Sequence, residues 1–406
     1  MSTSTAAAPR ASLLALAYLA FVSLGLPDGL LGVGWPSIRA ELTVPTAAVG
    51  LLLTAGTAGY LTSSVAAGFM LTRLGVGGLL AASTALAASA LTGYAISPTL
   101  ALMVCCALLL GLGSGAIDSG LNAYAAGAFG PRHMNWMHAF FGLGVAIGPL
   151  IMTGVLNLGL SWRWGYGIVA TAQLALAAAF VLTVRAWARG GDAAQPGERA
   201  PAVAPVRATL ALPALWLGVL AFAVYVAIEV GAGLWAYLLL TQGRGMGASA
   251  AGICVSGYWA SLFVGRVVQG VVAERLGTRR ILVGSLVGMA VGAGLVAVPG
   301  PAAVAVAGLA LIGFAAAPVF PLLTLTTAER VGAAHADRAI GLQIAGAGLG
   351  GALIPAGIGV LLGTDVERLG PALLALAVLL LALYAATTKI RVIREPNGGA
   401  PTTRRS

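Results

Sequence analysis

Three carboxylates stand inside long apolar stretches of this sequence: Asp28, Asp118 and Glu229. A carboxylate near the middle of a membrane span costs about 2.5–3.5 kcal/mol on insertion scales, so it normally faces a cavity and serves an ion or a solute. A carboxyl group in such surroundings can take up and release a proton near neutral pH. The three acids are therefore candidates for proton coupling.

Polar and aromatic residues near these acids are candidates for solute binding. Asn122 follows Asp118 by four residues, so on a helix the two side chains share one face and could hold a solute hydroxyl between them. His138 could bind the solute or relay protons, with a hydrogen-bonded packing histidine as the alternative. Tyr258 and Trp259 offer rings that could stack on a sugar.

The composition places the chain in a lipid bilayer. Of its 406 residues, 59% are hydrophobic and only 8% are charged, too few to cover a soluble protein of this size. Apolar runs of about 20 residues, each long enough to cross the bilayer, recur along the sequence. We predict an all-α membrane protein with twelve spans at 11–35, 47–71, 76–96, 100–127, 134–158, 164–186, 211–240, 249–273, 278–298, 302–326, 338–362 and 369–389.

The basic residues predict the orientation of these spans, because Lys and Arg in short loops are retained in the cytoplasm. Of the 22 cations, Arg266 falls inside a span, and only Arg39, Arg163, Arg244 and Arg368 fall on the side opposite the termini. The remaining cations predict that both termini lie in the cytoplasm and that the protein is a multi-pass component of the inner membrane. Their scatter over many loops argues against nucleic-acid binding.

A repeated segment divides the chain into two halves. The stretch from Gly68 to Gly75 recurs as the stretch from Gly270 to Gly277, each after the second span of its half, and Glu229 follows Asp28 by 201 residues. We predict domains at 11–186 and 211–389, joined by a polar, Pro- and Gly-containing linker at 187–210, with cytoplasmic tails at 1–10 and 390–406. The repeated segment is a loop whose charged residues are Arg73, Glu274, Arg275, Arg279 and Arg280, and Arg266 is expected to anchor the adjacent end of the eighth span.

This glycine–acid–arginine loop, the twelve spans in two halves and the central linker resemble the major facilitator superfamily. The resemblance implies that the first, fourth and seventh spans, with the tenth, line a central cavity, and that the repeated loop gates it. The first copy has Thr72 where the family has an acid, so the gate should depend more on the second copy. The strings Pro27-Asp28-Gly29, Gly111-Leu-Gly113 before Asp118, and Gly257-Tyr258-Trp259 look like the fucose–proton symporter and sugar-permease-like group.

These observations favour a secondary transporter that takes up a small neutral solute, a sugar or sugar-like compound, by proton symport. A proton-coupled exporter of drugs or organic cations is the alternative, because cavity acids suit cations. A transport-inactive receptor or scaffold would not need three costly acids. No nucleotide-binding glycine loop occurs, so ATP-driven transport is unsupported. We also expect no enzyme activity, no cofactor or metal other than the coupling proton, and a monomer with solute and lipid as its partners.

Overall fold

The first half of the protein is a bundle of long helices. The computed structural model describes residues 11–129, 131–189 and 204–389, and within these ranges it contains helices and turns but no strand. The helices of the first half are α1 (Ala11–Glu41), α2 (Val49–Ile96), α3 (Leu100–Ala128), α4 (Pro131–Asn157) and α5 (Arg163–Thr183), with 3-10 turns at Thr46–Ala48 and Val184–Arg189.

The second half repeats this arrangement with more interruptions. Its helices are α6 (Val206–Leu210), α7 (Pro213–Leu238), α8 (Ala248–Leu276), α9 (Thr278–Ala297), α10 (Ala302–Ala316), α11 (Val319–Leu325), α12 (Thr327–Val331), α13 (Ala333–Leu362) and α14 (Leu369–Lys389). A π-helical turn follows α7 at Leu239–Gly243, and a 3-10 turn at Val366–Arg368 precedes α14. The tenth crossing is divided into α10 and α11 at Pro318, which lacks the backbone donor that a continuous helix needs. Residues 190–203 of the predicted linker lie outside the described residues.

The helix α2 accounts for two crossings. Its 48 residues measure about 72 Å at a rise of about 1.5 Å per residue, more than twice the roughly 30 Å of bilayer hydrocarbon. Gly75 breaks it with φ 66° and ψ 170°, a conformation that side chains disfavour. Since the described residues hold eleven apolar helices long enough to span a bilayer and α2 provides two crossings, the predicted count of twelve is confirmed.

The main contacts between the two halves, within the described residues, are made by α1 with α7, α2 with α13 and α4 with α8. We call the end where α5 stops and α7 begins the linker end of the bundle. Near the opposite end, glycines let the halves touch: a Cβ on Gly252 would lie 1.9 Å from Thr153 Oγ1, and one on Gly50 would lie 2.3 Å from Ala356 Cβ. Small residues at such crossings allow backbones to approach closely. The halves are therefore closed together at the opposite end.

An ion pair ties the helices of the first half together at this opposite end. Arg163, which begins α5, lies 2.7 Å from the Glu41 carboxylate at the end of α1. Arg163 also donates to the carbonyl of Ala95 near the end of α2. Glu41 accepts a further hydrogen bond from the Trp162 indole at 2.7 Å. The first, third and sixth crossings of this half are thus connected by one arginine.

The second half carries the corresponding ion pair with the charges exchanged. Here the arginine, Arg244, follows α7 and its π-helical turn, and the acid, Glu367, precedes α14. The Arg244 guanidinium lies 2.9 Å from the Glu367 carboxylate. Arg244 also donates to the carbonyls of Val296 and Gly300 near the end of α9. The same three crossings are connected, which indicates that each half moves as one body.

Burial predicts that the second ion pair is the more important for stability. The Arg244 side chain is 2% exposed, whereas that of Arg163 is 25% exposed. Removing one partner of a buried pair costs about 3–5 kcal/mol, and an exposed pair contributes about 0.2–1 kcal/mol. Because Glu367 is 35% exposed, we expect Arg244→Ala to lower the free energy of unfolding by about 3 kcal/mol, at the lower end of that range. We expect Arg163→Ala to lower it by about 1 kcal/mol.

Thermal unfolding of both variants in the same detergent measures this difference, with Arg207→Ala, at an exposed position of α6, as a control for the loss of one exposed positive charge. Equal destabilisation by Arg163→Ala and Arg244→Ala would show that burial of the arginine does not decide its contribution.

Candidate functional site

Asp28 projects from α1 into a solvent-accessible space inside the bundle. From Ala20 to Trp35 it is the one exposed residue, while its neighbours are buried or half-buried. Gly25 and Gly29 press the adjacent face of α1 against α4, where an added Cβ would lie 2.3 Å from the carbonyls of Phe141 and Val145 respectively. No hydrogen bond or ion pair to Asp28 occurs within the described chain. Its carboxylate is therefore free to receive a proton or a ligand.

Asp118 is held by two donors that fix its orientation. The Tyr60 hydroxyl donates to Oδ2 at 2.6 Å, and the Asn122 amide donates to Oδ1 at 3.0 Å. The remaining Asn122 acceptor, Oδ1, is buried and has no hydrogen-bond partner. The predicted acid–amide pair is thus formed, and it keeps an unused acceptor beside the carboxylate.

Close packing of α2 on α3 brings Tyr60 to this pair. A Cβ on Gly111 would lie 2.0 Å from the Gly56 carbonyl, and one on Gly59 would lie 2.2 Å from the Leu108 carbonyl. Without side chains at these points the helices approach closely enough for a tyrosine on α2 to reach an acid on α3. Tyr60 was not predicted from the sequence; its signal was a single tyrosine one position after a glycine in an apolar span.

Glu229 is held by tyrosines of α7 and α8. The Tyr225 hydroxyl, one turn earlier on α7, lies between Glu229 Oε2 and the carbonyl of Ala316, which is 3.1 Å away. That carbonyl belongs to the last residue of α10, where the helix ends and carbonyls lose their helical donors. From α8, the Tyr258 hydroxyl donates to the Glu229 backbone carbonyl at 2.7 Å. Glu229 is half-buried, so its carboxylate has both protein and solvent neighbours.

The two aromatic residues predicted to stack on a sugar lie against α7. Tyr258 is 1% exposed, so in this conformation it supports Glu229 and has no free ring face for a ligand. Trp259 packs edge-to-face on Tyr258 with centroids 4.9 Å apart. Its ring occupies the space that a Cβ on Gly233 would take. Trp259 is half-buried and remains the better candidate for a solute contact.

A hydrogen bond from Arg266 to the backbone of His138 crosses the boundary between the halves. Arg266 Nη1 on α8 donates to the His138 carbonyl on α4 at 3.4 Å. The His138 ring is exposed and packs edge-to-face on Phe21 at 5.3 Å. Arg266 thus contacts the first half of the molecule through its guanidinium.

The glycines of the repeated loop have equivalent roles in both halves. Gly75 and Gly277 both take a positive φ, of 66° and 78°. Each lies where the second membrane crossing of its half turns into the third, Gly75 within α2 and Gly277 between α8 and α9. This equivalence confirms that the sequence repeat is a structural repeat. Arg73 is exposed with its guanidinium 4.2 Å from the Phe69 ring centroid.

The remaining predicted gate residues lie around the second copy of this loop. Arg279 and Arg280 are exposed at the start of α9. The side chains of Glu274 and Arg275 fall outside the described residues, so their ion pairs stay a prediction.

Comparisons with known proteins agree with this architecture. A sequence profile of the Major Facilitator Superfamily matches residues 17–355 and, in a second match, 232–405. An uncharacterised MFS-type transporter from Yersinia pestis is 25% identical over 378 residues, which cover 92% of this chain and 94% of that protein.

Solved structures share the fold at low sequence identity. A nucleoside transporter superposes with a TM-score of 0.75 at 14% identity, over 93% of this chain and 100% of that one. A peptide transporter in complex with alafosfalin gives 0.73 at 15% identity, over 93% and 95% of the two chains. A D-xylose–proton symporter gives 0.69 at 13% identity, over 94% and 99%.

Proposed function

Because the chain belongs to the major facilitator superfamily, whose members are membrane transporters and not enzymes, we propose that it carries a small neutral solute, a sugar or sugar-like compound, by proton symport with alternating access. The observation that carries this proposal is the Asp118 cluster. A carboxylate fixed by Tyr60 and Asn122 leaves acceptor atoms on one helix face, and neighbouring hydroxyls of a polyol are matching donors. The similar folds of a nucleoside transporter, a peptide transporter and a D-xylose–proton symporter support a small-molecule solute.

Proton coupling is supported by the two acids outside this cluster. Asp28 is exposed within an otherwise buried stretch of α1, and Glu229 occupies the equivalent place in the second half. Sites of this kind near the interface of two structural repeats are where alternating-access transporters bind solute and coupling ion. We assign coupling to Asp28 or Glu229 and solute contact to Asp118 and Asn122.

The alternative function is proton-coupled export of an organic cation. Asp28 favours it, since a carboxylate in an internal solvent-accessible space with no cationic partner in the described chain would attract a cationic solute. The two functions differ in which solutes bind and in whether protons and solute move together.

The distribution of Lys and Arg supports an orientation with the linker and both termini in the cytoplasm. We assign the protein to the inner membrane as a monomer. In this orientation the structure is closed on its outer side. Because the outer side is closed, we infer that the solvent-accessible space around Asp28 and His138 opens inwards, the state in which a symporter releases its solute.

A thermal-shift screen tests the proposed solute class. At 100 times its Kd, a ligand that binds only the folded protein stabilises it by about 2.7 kcal/mol. We expect sugars or polyols to raise the melting temperature, and we expect Asn122→Leu to remove most of the shift because it deletes the unused acceptor and one donor to Asp118. Thr92→Val, a polar-to-apolar change far along α2 from this cluster, is the control. Stabilisation by organic cations alone would overturn the sugar proposal and favour the exporter.

A further inference from the structure

The Tyr225 hydroxyl lies between two acceptors that it cannot serve at the same time. One is the Glu229 carboxylate, one turn later on α7, and the other is the backbone carbonyl of Ala316 on α10, 3.1 Å away. A phenol carries a single proton, so it donates to one acceptor at a time. Tyr225 is 1% exposed and Ala316 is 0% exposed, so water does not replace the phenol as a donor in this conformation.

Ala316 marks the break in the tenth crossing. It is the last residue of α10, and α11 begins at Val319. Pro318 has no backbone N–H, so the helical hydrogen bonds do not continue across this point. On the other side of the break, the Phe320 ring of α11 lies with its centroid 6.4 Å from that of the Tyr225 ring. Tyr225 therefore lies beside both segments of the tenth crossing.

The α10 side of the break is fixed to α8. A Cβ on Gly313 would lie 2.3 Å from Ser261 Oγ and 2.5 Å from the Tyr258 carbonyl. A Cβ on Gly265 would lie 2.6 Å from the Phe314 carbonyl. Glycines at these points let the backbones of α8 and α10 approach closely. A change at the break is thus expected to move α11 and to leave α10 in place.

The direction of the Tyr225 hydrogen bond depends on whether Glu229 carries a proton. A charged carboxylate is the stronger acceptor, so it takes the phenol proton and the Ala316 carbonyl loses its donor. A neutral carboxyl group can itself donate to the phenol oxygen, which leaves the phenol proton for the carbonyl. The exchange needs only a rotation of hydroxyl groups, because both acceptors already lie beside the phenol.

We propose that Tyr225 is a positioning residue that relays the protonation of Glu229 to the break in the tenth crossing. With Glu229 neutral, a chain of hydrogen bonds from Glu229 through Tyr225 to Ala316 ties α7 to the break. With Glu229 charged, a buried carbonyl is left without a donor, which favours movement of α11 away from α7 so that water reaches this carbonyl. The proposal rests on the proposed proton coupling and identifies the element on which the proton acts.

Few other titratable groups face this site within the described residues. Asp28 lies on α1, and Tyr258 on α8 donates to the Glu229 backbone and not to its carboxylate. Arg266 on α8 donates to the His138 carbonyl and keeps its charge at all accessible pH values. The helices α10 and α11 carry no titratable residue, and those of α12, α13 and α14 lie towards the linker end: Glu329, Arg330, His335, Asp337, Arg338, Tyr384 and Lys389. Asp28 is therefore the carboxylate whose titration must be removed in a test.

Distance measurements between spin labels test this relay without a solute. Labels at the exposed positions Leu220 on α7 and Leu325 on α11 report the separation across the break, once Cys105, Cys106 and Cys254 have been replaced. In an Asp28→Asn background, we expect a fall in pH that protonates Glu229 to increase the short-distance population about fivefold, the effect of one hydrogen bond of ordinary strength. With or without Asp28, Glu229→Gln should show the low-pH population at every pH, since its amide can donate to the phenol oxygen.

The decisive result is the dependence of this response on one hydroxyl group. In Tyr225→Phe, which keeps the ring beside Phe320, neither pH nor Glu229→Gln should change the distance. Tyr258→Phe is the matched control and should keep the full response, because its hydroxyl bonds to the Glu229 backbone carbonyl. Equal responses with and without the Tyr225 hydroxyl, or no response to either pH or Glu229→Gln when Tyr225 is present, would overturn the proposal.

Failure of the proposed function gives a different result. If the native protein moved no solute with protons while the distance response still required the Tyr225 hydroxyl, the transport assignment would fall and the relay from Glu229 to the break would remain.

Discussion

Gly252→Val is expected to prevent the conformation seen here and to reduce net transport at least tenfold. A Cβ at this position would lie 1.9 Å from Thr153 Oγ1 and 2.9 Å from Thr153 Cβ, so α4 and α8 cannot close at the end opposite the linker. Forcing extra atoms into a well-packed contact costs about 1–3 kcal/mol. Since about 1.4 kcal/mol corresponds to a tenfold change in an equilibrium, the variant should populate the state that is open at that end.

Spin labels at Leu158 and Ala250, exposed positions near the hydrogen bond from Ser249 to Asn157, measure this opening. Gly257→Val is the matched control, because it lies on the same helix and a Cβ there would have no neighbour within 4 Å. Combining Gly252→Val with Thr153→Gly removes the clash and should restore the shorter distance.

Accessibility of a cysteine at Leu31 in oriented vesicles completes the test. With the proposed orientation, the cysteine at position 31 should react with a membrane-impermeant thiol reagent from the cytoplasmic side in the otherwise native protein. In the Gly252→Val variant it should react from the outside. Reaction of the native protein from the outside alone would overturn the proposed orientation. An unchanged distance in Gly252→Val would show that the close contact with Thr153 does not limit closure.

Neutralising the coupling acid should abolish accumulation and spare exchange. A symporter must carry a group that is protonated with solute bound and releases its proton when empty, and an amide imitates the permanently protonated form. For Glu229→Gln or Asp28→Asn we therefore expect pH-driven uptake to fall to background while counterflow of labelled solute persists. Asp118→Asn should lose both, because the amide cannot accept hydrogen bonds from both Tyr60 and Asn122 in the present geometry.

Proteoliposomes loaded with the solute identified by the thermal-shift screen allow both assays on the same preparation. Tyr225→Phe is a useful companion to Glu229→Gln, since it removes the hydroxyl beside the carboxylate and leaves the acid in place. Full pH-driven uptake by all three amide variants would exclude proton symport through these acids. Loss of counterflow in all three would mean that each acid is needed to bind or move the solute.

Much of the architecture could be predicted from the sequence because hydropathy is a local property. Twelve apolar runs of membrane-spanning length, the linker between them and the 202-residue spacing from Gly75 to Gly277 are visible without any knowledge of packing. The positions of Asp28, Asp118 and Glu229 within those runs are visible in the same way. So is the pairing of Asp118 with Asn122, because residues four apart on a helix are neighbours.

Contacts between helices were decided by the tertiary structure. Tyr60 reaches Asp118 because glycines let α2 and α3 approach, and Tyr258 turned out to support Glu229 from another helix. Arg266 was expected to anchor its own helix end, yet it contacts His138 in the other half. Such pairings depend on how each helix is rotated and how closely it packs on its neighbour. A hydropathy pattern carries little of that information when nearly every face of a helix is apolar, and the charged minority then finds its partners only through the three-dimensional packing.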